Sequence, residues 1–258
     1  MTPATASPSA VPAPWWAPLA LGISFLTVLS APHVDVDLAT MRRTVPLFPV
    51  IGAALGAAVG LLGFALDRVL PAGPTAALLL LAGMVLTGGL HLDGLLDTVD
   101  GVFGGSTPQR RLEIMRDSRV GAFATLAAVA VLLAQFSCLS EVTGTERLVA
   151  LTLAGGFGRW TIVAAMSVYP GLRAAGLGVT FQGAASPSTL VLGSIGAALL
   201  AVAARPAGLV AWVGAALVLL LGGRLLVARL GGLSGDGYGA LAVLTETAVL
   251  YGVLLGLR

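Results

Sequence analysis

The sequence predicts an all-α protein, a polytopic integral membrane bundle of six to eight transmembrane helices. Three observations carry that expectation. The chain of 258 residues is 57% hydrophobic and only 10% charged, and its mean hydropathy of +0.97 is too apolar for a water-soluble domain. Apolar runs of about 17–22 residues recur along it, the length that crosses hydrocarbon. Strand-period alternation is missing, which argues against a β-barrel.

Residues 1–14 are rich in Pro, Ala, Ser and Thr and lack a basic start. They read as a disordered tail rather than a signal peptide. Residues 15–258 read as a single transmembrane domain without a long linker. Candidate spans follow at 15–31, 46–66, 74–92, 120–139, 148–168, 188–204, 206–226 and 240–257. The first is short, and only Arg205-Pro206 separates the sixth from the seventh. Trp15 and Trp16 open the first span as an interfacial aromatic anchor. Gly52, Gly56 and Gly60 recur every fourth residue in the second, a spacing that lets two helix backbones approach closely. Cys138 lies in an apolar span and reads as core packing; a single cysteine excludes a disulfide framework and a thiolate metal site.

All 14 basic residues are arginine. They do not gather with aromatic residues on one face, so nucleic acid is not an expected partner. With eight spans, nine arginines fall in the odd-numbered connections, namely 42, 43, 110, 111, 116, 119, 173, 224 and 229. Four (68, 147, 205 and 258) fall in the even-numbered connections and at the C-terminus, and Arg159 lies within a span. The positive-inside rule then puts the odd connections in the cytoplasm. Nearly every group capable of chemistry falls on that side.

The strongest such signal is His91-Leu92-Asp93-Gly94-Leu95-Leu96-Asp97-Thr98-Val99-Asp100-Gly101, directly after the third span. At about 100° per residue, Asp93, Asp97 and Asp100 fall within roughly 60° of one another on a helix. Three like charges on one stripe at a membrane boundary repel unless a cation sits among them. Mg²⁺ suits them: it takes few carboxylates, keeps waters and binds substrate phosphates. Gly94 and Gly101 allow close backbone approach. Zinc fits less well, because His91 points to the opposite side of a continuous helix; His91 is expected to pack or to hydrogen-bond locally. His33, beside Asp35 and Asp37, is expected to be solvated.

The run Arg110-Arg111-Leu112-Glu113-Ile114-Met115-Arg116-Asp117-Ser118-Arg119 follows on the same side. Alone it could be an amphipathic surface helix. Next to the acidic stripe, its arginine forks match phosphate oxygens, and carboxylates, metal and arginines together make a diphosphate clamp. The glycine-rich loop Gly231–Gly239 carries Ser234 and Asp236. Such loops can wrap phosphates, though a connection needs glycine in any case. Arg159 and Glu246 lie inside apolar spans, where a charge needs a partner or a watery pocket. An interhelical salt bridge and substrate contact both explain them.

The two central runs resemble the signature of the cobalamin synthase family. Phe25-Leu26-Thr27, Phe48-Pro49-Val50-Ile51-Gly52, Gly158-Arg159-Trp160, Gly231-Gly232-Leu233-Ser234-Gly235-Asp236 and Glu246 resemble its other blocks in order. The likeness spans all but the first fourteen residues. Two positions depart from it: Ser30-Ala31-Pro32-His33 replaces an Arg-Leu/Ile-Pro type of stretch, and Ser234 stands where threonine is usual.

The resemblance implies a multi-pass transferase of the bacterial cytoplasmic membrane, its active site facing the cytoplasm. α-Ribazole or its 5′-phosphate would attack the cobinamide-bound phosphate of adenosylcobinamide-GDP. GMP would leave, and adenosylcobalamin or its 5′-phosphate would form, with Mg²⁺ as cofactor. Residues 15–258 are then a catalytic domain within the lipid bilayer, and a homo-oligomer is compatible with it. Asp93, Asp97 and Asp100 are expected to hold the metal. Asp100 or Asp117 is expected to serve as general base. Arg116, Arg119, Arg159, Asp236 and Glu246 are expected to contact substrate.

Two rivals share some of these features. A CDP-alcohol phosphotransferase of phospholipid synthesis also clusters aspartates in membrane helices, but its Asp-Gly-x-x-Ala-Arg pattern is not met by Asp93-Gly94-Leu95-Leu96-Asp97-Thr98. A transporter or ion channel would use Asp97, Arg159 and Glu246 as a buried ion path. It predicts charges spread through the membrane depth, and inverted repeats that are not evident.

Overall fold

The computed structural model describes residues 13–32, 34, 37–172, 177–204 and 206–256. The expected tail up to residue 12 lies outside them, as do His33, Asp35, Arg173, Arg205 and Arg258.

The described residues are mostly helical, with no strand among them. Helix α1 (Ala17–Leu26) is followed by α2 (Leu38–Thr44), whose N-terminus is capped by the Asp37 carboxylate accepting from the Thr40 N–H at 2.6 Å. A 3₁₀ turn (Val45–Leu47) joins α2 to α3 (Phe48–Leu66). Pro46 and Pro49 sit in first-turn positions, where a missing N–H costs nothing. Next come α4 (Ala72–Thr87), α5 (Leu90–Gly104), the short α6 (Pro108–Ile114) and α7 (Ala122–Glu141). They are followed by α8 (Gly144–Val168), α9 (Leu177–Ala184) and α10 (Pro187–Ala203), which begins in a Ser186/Thr189 capping box. Helix α11 (Ala207–Leu217) continues through a π-helical turn (Val218–Gly222) into α12 (Gly223–Leu230), and α13 (Gly235–Gly256) completes the bundle.

Among the described residues five helical stretches are long and apolar enough to cross a membrane: 38–66, 122–141, 144–168, 207–230 and 235–256. A sixth is obtained if α4 and α5 count as one broken span. Helices α10 and α1 are apolar but shorter, at 17 and 10 residues. The bundle therefore has the expected class, with five of the eight candidate spans crossing alone, two too short, and the third (74–92) counted only together with α5. Outward leucines such as Leu126 (67% exposed) and Leu199 (66%) present a surface suited to lipid.

The expected span 74–92 is not continuous. Gly88 and Gly89 adopt φ of +61° and +70°, conformations in which a side chain is strained, and α5 leaves α4 at 90°. His91 thus belongs to the first turn of α5 rather than to the end of a span.

Helix α8 is the core element, buried over most of its length against α3, α10 and α13. The Gly52/Gly56/Gly60 stripe does what its spacing predicts. A Cβ on Gly52 would stand 2.2 Å from the Gly155 carbonyl oxygen, and one on Gly56 would stand 2.0 Å from that of Leu151. Cys138 is buried in the core as expected.

Two ends of the bundle differ in kind. At one, Arg147 is fully buried and paired with Asp67. Its guanidinium also donates to the Leu139 carbonyl at 2.9 Å, while Asp67 accepts from the Gly144 N–H at 2.8 Å. Counted from sequence as a charge of an exposed connection, Arg147 is instead an internal clasp between the ends of α3, α7 and α8. At the other end several other connections meet. The Val28 N–H bonds the Leu86 carbonyl, Leu172 pairs with Leu233 through their backbones, and Arg111 donates to the Arg229 carbonyl at 2.9 Å.

Candidate active site at a broken helix

The second end carries the acidic stripe. On α5, Asp93 is exposed, Asp97 half-buried and Asp100 buried. Glycine at position 94 lets the first turn of α13 touch α5: a Cβ there would lie 2.9 Å from the Asp236 carbonyl oxygen. Asp236 is thereby delivered from a distant part of the chain into Coulombic range of Asp93 and Asp97. The Ser234 hydroxyl accepts from the Gly237 N–H at 3.2 Å and reaches the Asp236 carboxylate at 3.4 Å, ordering the start of α13.

Asp100 turns elsewhere. Its two oxygens accept the N–H groups of Gly121 at 2.6 Å and Ala124 at 2.8 Å, so it caps the N-terminus of α7 from a different helix. A Cβ on Gly121 would meet both carboxylate oxygens at 2.6 Å. The segment carrying Arg116, Asp117 and Arg119 is held over α5 by this contact. The carboxylate expected at the metal or as base is thus committed to backbone amides, with one further lone pair on each oxygen.

Arginines around the stripe divide into fasteners and free forks. Arg111 donates to the Gly105 carbonyl at 2.9 Å as well as to Arg229, tying α6 to the ends of α5 and α12. Arg110 pairs with Glu113 at the surface. Arg116 is exposed and forms no ion pair with a described residue. Arg119 forks onto Asp117 through Nε at 3.0 Å and Nη2 at 2.6 Å. These hydrogen bonds hold the Asp117 carboxyl down at about 2, so it stays ionised across the neutral range and accepts a proton poorly.

Next to the first turn of α5, Arg159 of α8 is buried and paired with Glu246 of α13. Its Nη2 lies 3.4 Å from His91 Nδ1. The interhelical salt bridge considered from sequence is present, and His91 makes the local polar contact expected of it. The Arg159 Nε–H, like the Thr98 and Tyr238 hydroxyls, is buried without a hydrogen-bond partner among the described residues. Arg159, Glu246 and His91 line a cavity of about 140 Å³, walled mainly by apolar side chains of α3, α4, α7, α8 and α13.

Among the described residues no three His, Cys, Asp or Glu side chains are gathered as a ready metal cage. The donor set that remains, exposed or half-buried carboxylates on two helices, fits a hard ion that draws only one or two carboxylates from the protein and the rest of its shell from water and phosphate.

Sequence spacing put Asp93 and Asp97 on one face of a helix and noted Asp236, and the structure brings these three carboxylates near one another. It missed the fastening roles of Arg111 and Gly121, whose signal was a glycine directly before an apolar run and an arginine six residues after a glycine. The Asp67–Arg147 clasp had no local signal.

The sequence matches the model of a family described as cobalamin-5-phosphate synthase over residues 18–254. A Desulforamulus reducens protein named adenosylcobinamide-GDP ribazoletransferase is 36% identical over 251 residues, covering 92% of this chain and 96% of that one. A Roseiflexus protein of the same name is 36% identical, covering 93% and 91%. One from Citrobacter koseri is 39% identical, covering 93% and 98%. No solved structure matches the chain.

Proposed function

The chain belongs to the cobalamin-5-phosphate synthase family, and on that premise we propose that it joins adenosylcobinamide-GDP to α-ribazole or its 5′-phosphate, releasing GMP. Family membership supports this reading and neither the CDP-alcohol phosphotransferase nor the transporter.

The observation that carries the mechanism is the meeting of Asp93 and Asp97 on α5 with Asp236 from α13, beside a loop bearing Arg116 and Arg119. Asp93 and Asp97 would hold Mg²⁺, with Asp100 behind them anchoring the arginine loop. The ion neutralises charge on the substrate diphosphate when bound. Arg116 supplies a free fork for phosphate oxygens, and Arg119 adds a second by leaving Asp117. The incoming 5′-oxygen forms a bond to the cobinamide-bound phosphorus as the phosphorus–oxygen bond to GMP breaks. Its proton needs a carboxylate. Asp117 is too weak a base and both oxygens of Asp100 face amides, so the role falls to half-buried Asp236. Arg159 and Glu246 line the cavity below and meet the substrate there.

The positive-inside argument supports a cytoplasmic placement of this end, in the bacterial cytoplasmic membrane.

The test is incubation of purified, reconstituted protein with adenosylcobinamide-GDP, α-ribazole and Mg²⁺, with GMP and a corrinoid product followed by chromatography. Turnover is expected, reversibly stopped by chelation. Asp97→Ala should lower GMP release by about 100-fold or more while the protein still inserts and elutes normally. Full activity in excess chelator would remove the metal, and retained turnover in the Asp97 variant would remove that side chain from the site.

A further inference from the structure

We propose, resting on the reaction above, that the cavity beneath the acidic stripe seats the flat aromatic base of the incoming nucleoside. Its volume of about 140 Å³ is close to that of a dry, leucine- and phenylalanine-lined cavity of about 150 Å³ known to take benzene. Apolar walls dominate. One polar group is conspicuous: Arg159, whose Nε–H is buried and unsatisfied among the described residues. A buried donor in that state costs free energy that an acceptor on a ligand would recover.

The base of α-ribazole matches this lining. It is a methylated benzimidazole, apolar across both faces, with one ring nitrogen that keeps a free lone pair. An acceptor of that kind satisfies Arg159 without bringing a charge into the bundle. The Glu246 carboxylate and His91 already contact the two Nη nitrogens, so Nε is the guanidinium nitrogen without a partner among the described residues.

Position links the cavity to the chemistry. Thr87, Gly89 and Leu92 line both this cavity and an open cleft that carries Asp93. The Gly88-Gly89 break between α4 and α5 is the partition between them. A nucleoside with its base in the cavity therefore directs its ribose past the break, toward Asp93 at the edge of the acidic stripe. The cavity would set which base is accepted, while the stripe handles phosphates.

Gly83 lines the cavity, and a Cβ there meets nothing within 4 Å. Gly83→Phe should fill the space. In purified protein we expect at least a tenfold rise in KM for α-ribazole and at least tenfold weaker binding of 5,6-dimethylbenzimidazole by equilibrium dialysis, with adenosylcobinamide-GDP binding unchanged. With wild-type protein, 5,6-dimethylindole, which has carbon in place of the lone-pair nitrogen, should bind at least tenfold more weakly than the benzimidazole. This second comparison stands even where Gly83→Phe does not fold. A folded Gly83→Phe protein with wild-type KM, or equal binding of the two bases, would overturn the assignment while leaving the transfer reaction intact. Failure of wild-type protein to form product from both substrates would instead overturn the reaction, whatever the base binding.

Discussion

Asp97 and Asp100 are three residues apart on one helix, and the structure gives them different surroundings. Asp97 faces the like charges of Asp93 and Asp236, whereas Asp100 is satisfied by two amide N–H groups. The stripe was legible because a 3.6-residue period puts the three carboxylates on one side. The divergence was not, since the amides that claim Asp100 lie 21 and 24 residues further along. Only tertiary packing brings them there. Gly121→Ala tests the contact: its methyl group would press on both Asp100 oxygens and lift the arginine loop. We expect turnover to fall about tenfold and backbone amides near 115–124 to exchange deuterium faster, with little change in the global unfolding temperature. Unchanged exchange in that segment would refute the capping role.

At the level of elements, glycines decide the close approaches. The i, i+4 stripe on α3 announced a tight helix contact, and α8 supplies its partner face through Gly155. The sequence did not name that partner, because α8 carries its own glycines in a pattern without a fixed period. Gly52→Ile should force α3 from α8 and cost roughly 1–3 kcal/mol or more, the usual penalty for overpacking. Lower thermal stability in detergent checks this; a stable variant would mean that the backbones can part freely. The Gly88-Gly89 break was also hidden. Its flanks are as apolar as a continuous span, and only the two left-handed φ values reveal a corner.

For the whole molecule, the membrane class was readable from composition and run length. What could not be read was which charges stay in water: Arg147 counts as a connection arginine in sequence but is entirely buried in the bundle. The sidedness is testable by a single cysteine. In a Cys138→Ala background, Gln109→Cys on exposed α6 should react with an impermeant maleimide only in inverted vesicles. Labelling of intact cells would reverse the orientation.

The clasp between Asp67 and Arg147 has a consequence for how the chain is built. Its partners are 80 residues apart, so when α8 is synthesised, α3, α4 and α7 must already be assembled to receive the guanidinium. A ribosome-bound chain lacking that acceptor carries an orphan cation that hydrocarbon rejects. Asp67→Ala should therefore cut steady-state abundance through proteolytic surveillance, and a second change, Arg147→Met, should restore part of it on quantitative immunoblots. Failure of the second change to recover any protein would show that the pair is not what quality control inspects.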